Sequence, residues 1–70
     1  MKDLELEKEY SKEKFIEKLR RLADCLEANE NFRIMVDGNP IYVPDSASFS
    51  IEFENSENEF ELEFQLSWEK

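Results

Sequence analysis

The chain has 70 residues, which is the length of one small domain. Its single cysteine excludes an internal disulfide and a structural zinc site, so a reducing, cytoplasmic setting is the simplest expectation. The formal net charge is −9, from 9 basic and 18 acidic residues, and this balance disfavours direct binding to nucleic-acid phosphates. No apolar run approaches the roughly 18 residues of a membrane span, so neither a membrane protein nor a secreted one is expected.

The first part of the chain predicts a short strand followed by one helix. Two leucines alternate with acidic residues over residues 3–8, which is typical of a strand with one apolar face. Ser11 is then a good N-cap, and Tyr10 and Phe15 have the spacing of a hydrophobic staple. Apolar residues follow at intervals of three and four, which predicts an amphipathic helix over residues 12–28 with Asn29 as its left-handed end.

The rest of the chain predicts four more strands, because apolar and polar residues alternate in four short runs. An Asp37-Gly38-Asn39-Pro40 turn separates the first two runs, and Pro44 limits the second run because proline has no N–H to pair. The predicted strands cover residues 32–36, 41–43, 49–54 and 59–68, with a loop at 45–48 and a turn at 55–58.

The order of elements predicts an α+β fold, β-α-β-β-β-β, as a single domain over residues 1–70. One helix is available to cover the apolar faces of all the strands, which favours a mostly antiparallel five-stranded sheet with the helix packed on one face. We expect Leu19 and Phe64 near the centre of one core, with Trp68 at its border. The other expected core residues are Leu4, Leu6, Phe15, Leu22, Leu26, Ile34, Val36, Ile51, Phe53, Leu62 and Leu66.

The C-terminal run Phe60-Glu61-Leu62-Glu63-Phe64-Gln65-Leu66-Ser67-Trp68 resembles the signature of the amphi-Trp domain family, an acidic alternating strand closed by tryptophan. The Asp37-Gly38 turn, the Val43-Pro44-Asp45 segment, the alternating strand at 49–54 and the helix with Leu19, Leu22, Ala23 and Leu26 match the family's order. The loop at 29–31 departs from the family because it has no glycine. The resemblance implies a small bacterial or archaeal domain with no assigned biochemical activity and no catalytic residues.

The carboxylates of the last two strands are the strongest functional feature. Paired carboxylates need a cleft and differing environments for catalysis, and these lie on an open sheet face, so no enzyme activity, cofactor or metal site is expected. The predicted interaction face comprises Glu52, Glu54, Glu61, Glu63 and Trp68. Trp68 has two interpretations, a residue that closes the core or an anchor for a partner.

A protein-interaction module that uses its acidic sheet face or an open edge strand is the leading functional hypothesis. The alternative is a DNA mimic that inhibits a nucleic-acid-binding protein. The expected partner is a protein with a basic surface, and the chain itself is expected to be a monomer or a weak homodimer, binding neither nucleic acid nor membrane.

The turn at 55–58 allows two registers for the last two strands. A four-residue loop places Glu54 opposite Glu59, and a two-residue loop places Glu54 opposite Glu61 and Glu52 opposite Glu63. Both registers set carboxylates about 5 Å apart, which is unfavourable, so some of these glutamates are expected to have raised pKa values. The alternation allows Arg33 alone among the basic residues to share this face.

Overall fold

The computed structural model describes residues 4–70, in which it contains one helix and four strands. The helix α1 spans Lys12–Glu27, and the strands are β1 (Phe32–Val36), β2 (Asn39–Val43), β3 (Ser48–Asn55) and β4 (Phe60–Ser67). The strands form two separate antiparallel hairpins, β1 with β2 and β3 with β4. The fold is therefore α+β, as predicted.

Helix α1 is closed at both ends by local hydrogen bonds that its sequence predicts. At the N-terminus, the Lys14 amide donates to the Ser11 hydroxyl at 3.3 Å, which confirms the predicted cap. At the C-terminus, Asn29 has a φ of 57°, and the Glu30 amide donates to the Cys25 carbonyl at 2.9 Å. A second bond from the Asn29 amide to the Leu26 carbonyl completes a Schellman motif, so the helix ends where predicted.

The first hairpin carries the buried core. Asp37 and Gly38 have φ values of 49° and 78°, and this pair of left-handed residues forms the tight turn that matches the twist of antiparallel strands. The register places Phe32 opposite Val43 and Ile34 opposite Ile41, so all four side chains share the face toward the helix. The buried cluster is Phe32, Val43 and Ala47, with Leu22 and Cys25 of α1 packed against it.

A corner at residues 44–47 separates the two hairpins. Pro44 ends β2, and the Ala47 amide donates back to the Pro44 carbonyl at 3.1 Å, which turns the chain. The Asp45 amide donates to the Asn31 side-chain oxygen at 3.0 Å, which ties the corner to the segment before β1. Burial of Ala47 then fixes the corner against the first hairpin, so β3 leaves in a direction that does not pair with β2.

Three structural predictions are wrong. Residues 4–8 are not a strand, and Leu4 is exposed, while residue 3 of that prediction lies outside the described residues. The continuous five-stranded sheet is replaced by two hairpins, because the corner after Pro44 interrupts the pairing. Leu19 and Phe64 do not form the centre of the core; both are exposed, and Phe64 is 61% exposed.

Candidate functional site

The polar side of the β3–β4 hairpin brings four predicted glutamates together. The register places Glu52 opposite Glu63 and Glu54 opposite Glu61. Of the two predicted registers, this is the one with a two-residue loop. The Ser56 amide donates to the Glu59 carbonyl at 3.0 Å, which leaves residues 57 and 58 as the loop. We call the surface formed by Glu52, Glu54, Glu61 and Glu63 the acidic face.

Gln65 bridges one of the two carboxylate pairs. Its side-chain amide donates to Glu52 Oε2 at 2.7 Å and to Glu63 Oε2 at 3.0 Å. Its oxygen accepts from the Ser50 hydroxyl at 3.2 Å, which fixes the orientation of the amide. One neutral donor thus contacts both carboxylates, so the Glu52–Glu63 end of the acidic face is organised by hydrogen bonds.

The other end of the acidic face is electrostatically crowded. The pKa of Glu61 is raised above its ordinary value, first by the charge of Glu59 and the hydrogen-bond contact with it, then by Glu63 and finally by the charge of Glu54. The predicted raised pKa is therefore confirmed at Glu61, but its main cause is Glu59, which lies two residues earlier in the chain, just before β4. Glu59 was absent from the predicted interaction face, although its alternation with Glu61 and Glu63 places it on the same side.

Arg33 does not share the acidic face, so that prediction is wrong. It lies on β1, opposite Tyr42 of β2, and its guanidinium carbon is 5.9 Å from the centroid of the Tyr42 ring. The corner at 44–47 puts Arg33 and the acidic face on different hairpins. The charge of Arg33 is engaged in a cation–π contact within the first hairpin.

The opposite side of the β3–β4 hairpin is apolar and open to solvent. We call it the apolar face; its members are Phe49, Ile51, Phe53, Phe60, Leu62, Phe64 and Leu66. All of them except Leu66 are between 53% and 72% exposed. The Phe53 and Phe60 rings stack with centroids 6.0 Å apart at the turn end of the hairpin.

A groove of about 800 Å³ separates the helix and the first hairpin from β4. Its lining includes Phe15 and Leu19 of the helix, Phe64 of β4, and Trp68, which is 42% exposed. Trp68 therefore lies outside the buried cluster but lines the groove together with Phe32 and Val43 of that cluster, so both interpretations of Trp68 stay open. Of the five residues of the predicted interaction face, Glu63 borders both the acidic face and this groove, while Trp68 belongs to the groove.

The described part of the chain has neither a metal cluster nor a membrane-spanning helix. Residues 4–70 contain no group of three or more His, Cys, Asp or Glu side chains placed to hold a metal ion. No helix within the same range has the length and apolar character needed to cross a membrane.

The comparisons with known proteins identify a family. Neither the search of curated proteins nor the search of solved structures found a match. The family model of the Amphi-Trp domain matches residues 1–70, the whole length of the sequence. The match includes the alternating acidic strand and the tryptophan that carry the resemblance, so this chain belongs to the Amphi-Trp domain family.

Proposed function

We propose that this domain is a protein-interaction module that binds a protein with a basic surface through its acidic face. One observation carries the proposal: the β3–β4 register sets Glu52 against Glu63 and Glu54 against Glu61 on an exposed surface. Like charges placed directly across two strands destabilise the free hairpin. A basic partner relieves that repulsion when it binds, so the repulsion between carboxylates in the free domain favours formation of the complex.

The crowding at Glu61 supports the same proposal. Every cause of its raised pKa is an acidic neighbour or loss of solvation, so an approaching cation meets an uncompensated negative field there. Complementary charges of this kind raise the association rate and select against acidic partners. They predict binding that weakens as salt is added.

Open strand edges support the same proposal. Within the described residues, β3 pairs only with β4, so the outer edges of both strands present backbone N–H and C=O groups. An extended basic segment of the partner can add to such an edge and place its side chains beside the acidic face.

A DNA mimic is the second candidate, favoured by the two rows of carboxylates. Alternate residues of a strand are about 6.6 Å apart, so two rows carry roughly one charge per 3.3 Å of hairpin. Duplex DNA carries one charge per about 1.7 Å of its axis. The acidic face has about half that density and is only two glutamates long on each strand, which favours a protein-interaction module over a mimic.

The test uses a labelled peptide of alternating lysine and valine, with binding measured by fluorescence anisotropy. One variant changes the four acidic-face glutamates to glutamine. A matched control removes four charges elsewhere with Glu17→Gln, Asp24→Asn, Glu27→Gln and Glu30→Gln, so both variants have the same net charge. Exposed ion pairs contribute about 0.2–1 kcal/mol each, so loss of four of them should make the acidic-face variant bind at least about fourfold more weakly than the control.

Equal weakening in the two variants would show that net charge alone attracts the peptide, and the proposal would fail. For the second candidate, the domain is titrated into a basic DNA-binding protein that holds a labelled duplex. Release of the duplex by the parent chain, but not by the acidic-face variant, would select the DNA mimic.

A further inference from the structure

The apolar face is too large for an isolated soluble domain. If each large side chain presents about 200 Å² when fully exposed, the apolar face and Trp68 together leave about 800 Å² open to water. The largest apolar patch of a typical monomer is about 300–600 Å². A standard interface buries about 800 Å² on each partner, so the exposed area matches one side of a stable contact.

We propose that a second copy of this chain covers the apolar face, with the two β3–β4 hairpins packed face to face as a symmetric sandwich. The seven residues of the apolar face are all uncharged and apolar, and Asn55, which pairs with Phe60 at the turn end, is the one polar strand residue on the same side. Such a surface suits a copy of itself, because a two-fold axis brings identical patches together. Two sheets packed in this way lie about 10 Å apart, which leaves room for the interdigitating aromatic rings.

The helix of the same chain cannot cover the whole apolar face in place of a second copy. Closure of the groove would bring Phe15 and Leu19 toward the groove-lining residues of β4, such as Phe64. Phe53 and Phe60 line neither this groove nor the smaller one beside β3, because they lie at the turn end of the hairpin. Their stacked rings are 63% and 72% exposed, and a hairpin from another copy reaches them.

The net charge of −9 on each chain does not prevent this contact. In the sandwich, both acidic faces point outward, with two sheets and their apolar layer between them. They are then separated by roughly 20 Å, which exceeds the Debye length of about 8 Å at physiological ionic strength. The dimer leaves the acidic face free, so this inference stands apart from the proposed function.

Sedimentation velocity of the parent chain and of two serine variants tests the proposal. The parent should sediment as a species of twice its 8.4 kDa mass. Phe53→Ser removes one of the two stacked rings at the turn end of the apolar face and should raise the dimer dissociation constant at least about tenfold. The matched control is Tyr42→Ser, which removes an equally exposed ring from the first hairpin and should leave the dissociation constant unchanged.

Three results would overturn the proposal. The first is a parent chain that stays monomeric up to a concentration of about 1 mM, because a dissociation constant above that value means that association is negligible. The second is a dimer that Phe53→Ser does not weaken, and the third is a dimer that both variants weaken equally. Circular dichroism verifies that Phe53→Ser is folded; if it is not, Phe60→Ser gives the same comparison. The acidic-face variant should dimerise like the parent chain, which separates this test from that of the proposed function.

Discussion

Phe32→Ala should remove most of the stability of this domain, whereas Phe64→Ala should not. Phe32 is 6% exposed and lies in the buried cluster with Val43 and Ala47. Truncation of a buried phenylalanine to alanine costs about 3–5 kcal/mol, from lost transfer energy and the cavity left behind. A single core in a chain of this length supplies only about 3–5 kcal/mol in total, so the Phe32 variant should be largely unfolded.

Phe64 provides the matched comparison, because it is the same residue type on a strand of the other hairpin. It is 61% exposed, so less than half of its area is covered, and its truncation should cost roughly 1–2 kcal/mol in the single chain. Urea denaturation followed by circular dichroism measures both variants, at a protein concentration low enough to keep the parent chain monomeric. Equal losses, or a larger loss for Phe64→Ala, would refute the assignment of the core to the first hairpin.

Three further predictions concern a helix cap, a turn and the acidic face. Ser11→Ala removes the acceptor of the Lys14 amide and should lower the free energy of unfolding by about 1 kcal/mol, with Ser11→Asp as the control that retains an acceptor. Gly38→Ala meets no atom within 4 Å, so its cost of about 1–2 kcal/mol in a urea melt should come from the φ of 78° alone. The folded-state pKa of Glu61 is raised above its ordinary value of 4.5, so ionised Glu61 lowers the free energy of unfolding at pH 7. This destabilisation is lost as the pH falls through the folded-state pKa toward 4.5. In thermal melts, the parent chain should become more stable as the pH is lowered from 7 to about 5, and also when salt is added. Glu61→Gln should reduce both effects. A melting temperature of the parent chain that does not change with pH or salt would contradict the crowding at Glu61.

The local structure could be predicted because short-range rules decide it. The spacing of apolar residues at three and four positions, with Ser11 before them and Asn29 after them, determines both ends of the helix. Each hairpin follows from the alternation in two neighbouring strands and from the short turn between them. Alternation also limits the β3–β4 register to the two that keep the apolar residues of both strands on one face. The same rules placed Glu52, Glu54, Glu61 and Glu63 on one surface.

The tertiary arrangement could not be predicted from those rules. Alternation states which side chains share a face, but not whether the two hairpins join into one sheet, and the corner at 44–47 decides that here. Ala47 is buried although it lies between strands, where no periodic pattern marks it. The role of Gln65 could not be predicted either, because it depends on Glu52, which only the β3–β4 register brings within 2.7 Å of the Gln65 amide.

The separation of the strands into two hairpins has a consequence for the folding rate. Each strand pairs with its neighbour in sequence, so no strand pairing has to wait for closure of a long loop. Hairpins form in about 1–10 μs and helices of this length in less than about 1 μs, so these elements can form independently. We therefore expect the docking of α1 on β1 to be the slower step. The Tyr10 hydroxyl, just before the helix, contributes a bond of 3.3 Å to the Met35 carbonyl of β1. Substitutions in the β3–β4 hairpin, away from this contact, should change the unfolding rate far more than the folding rate.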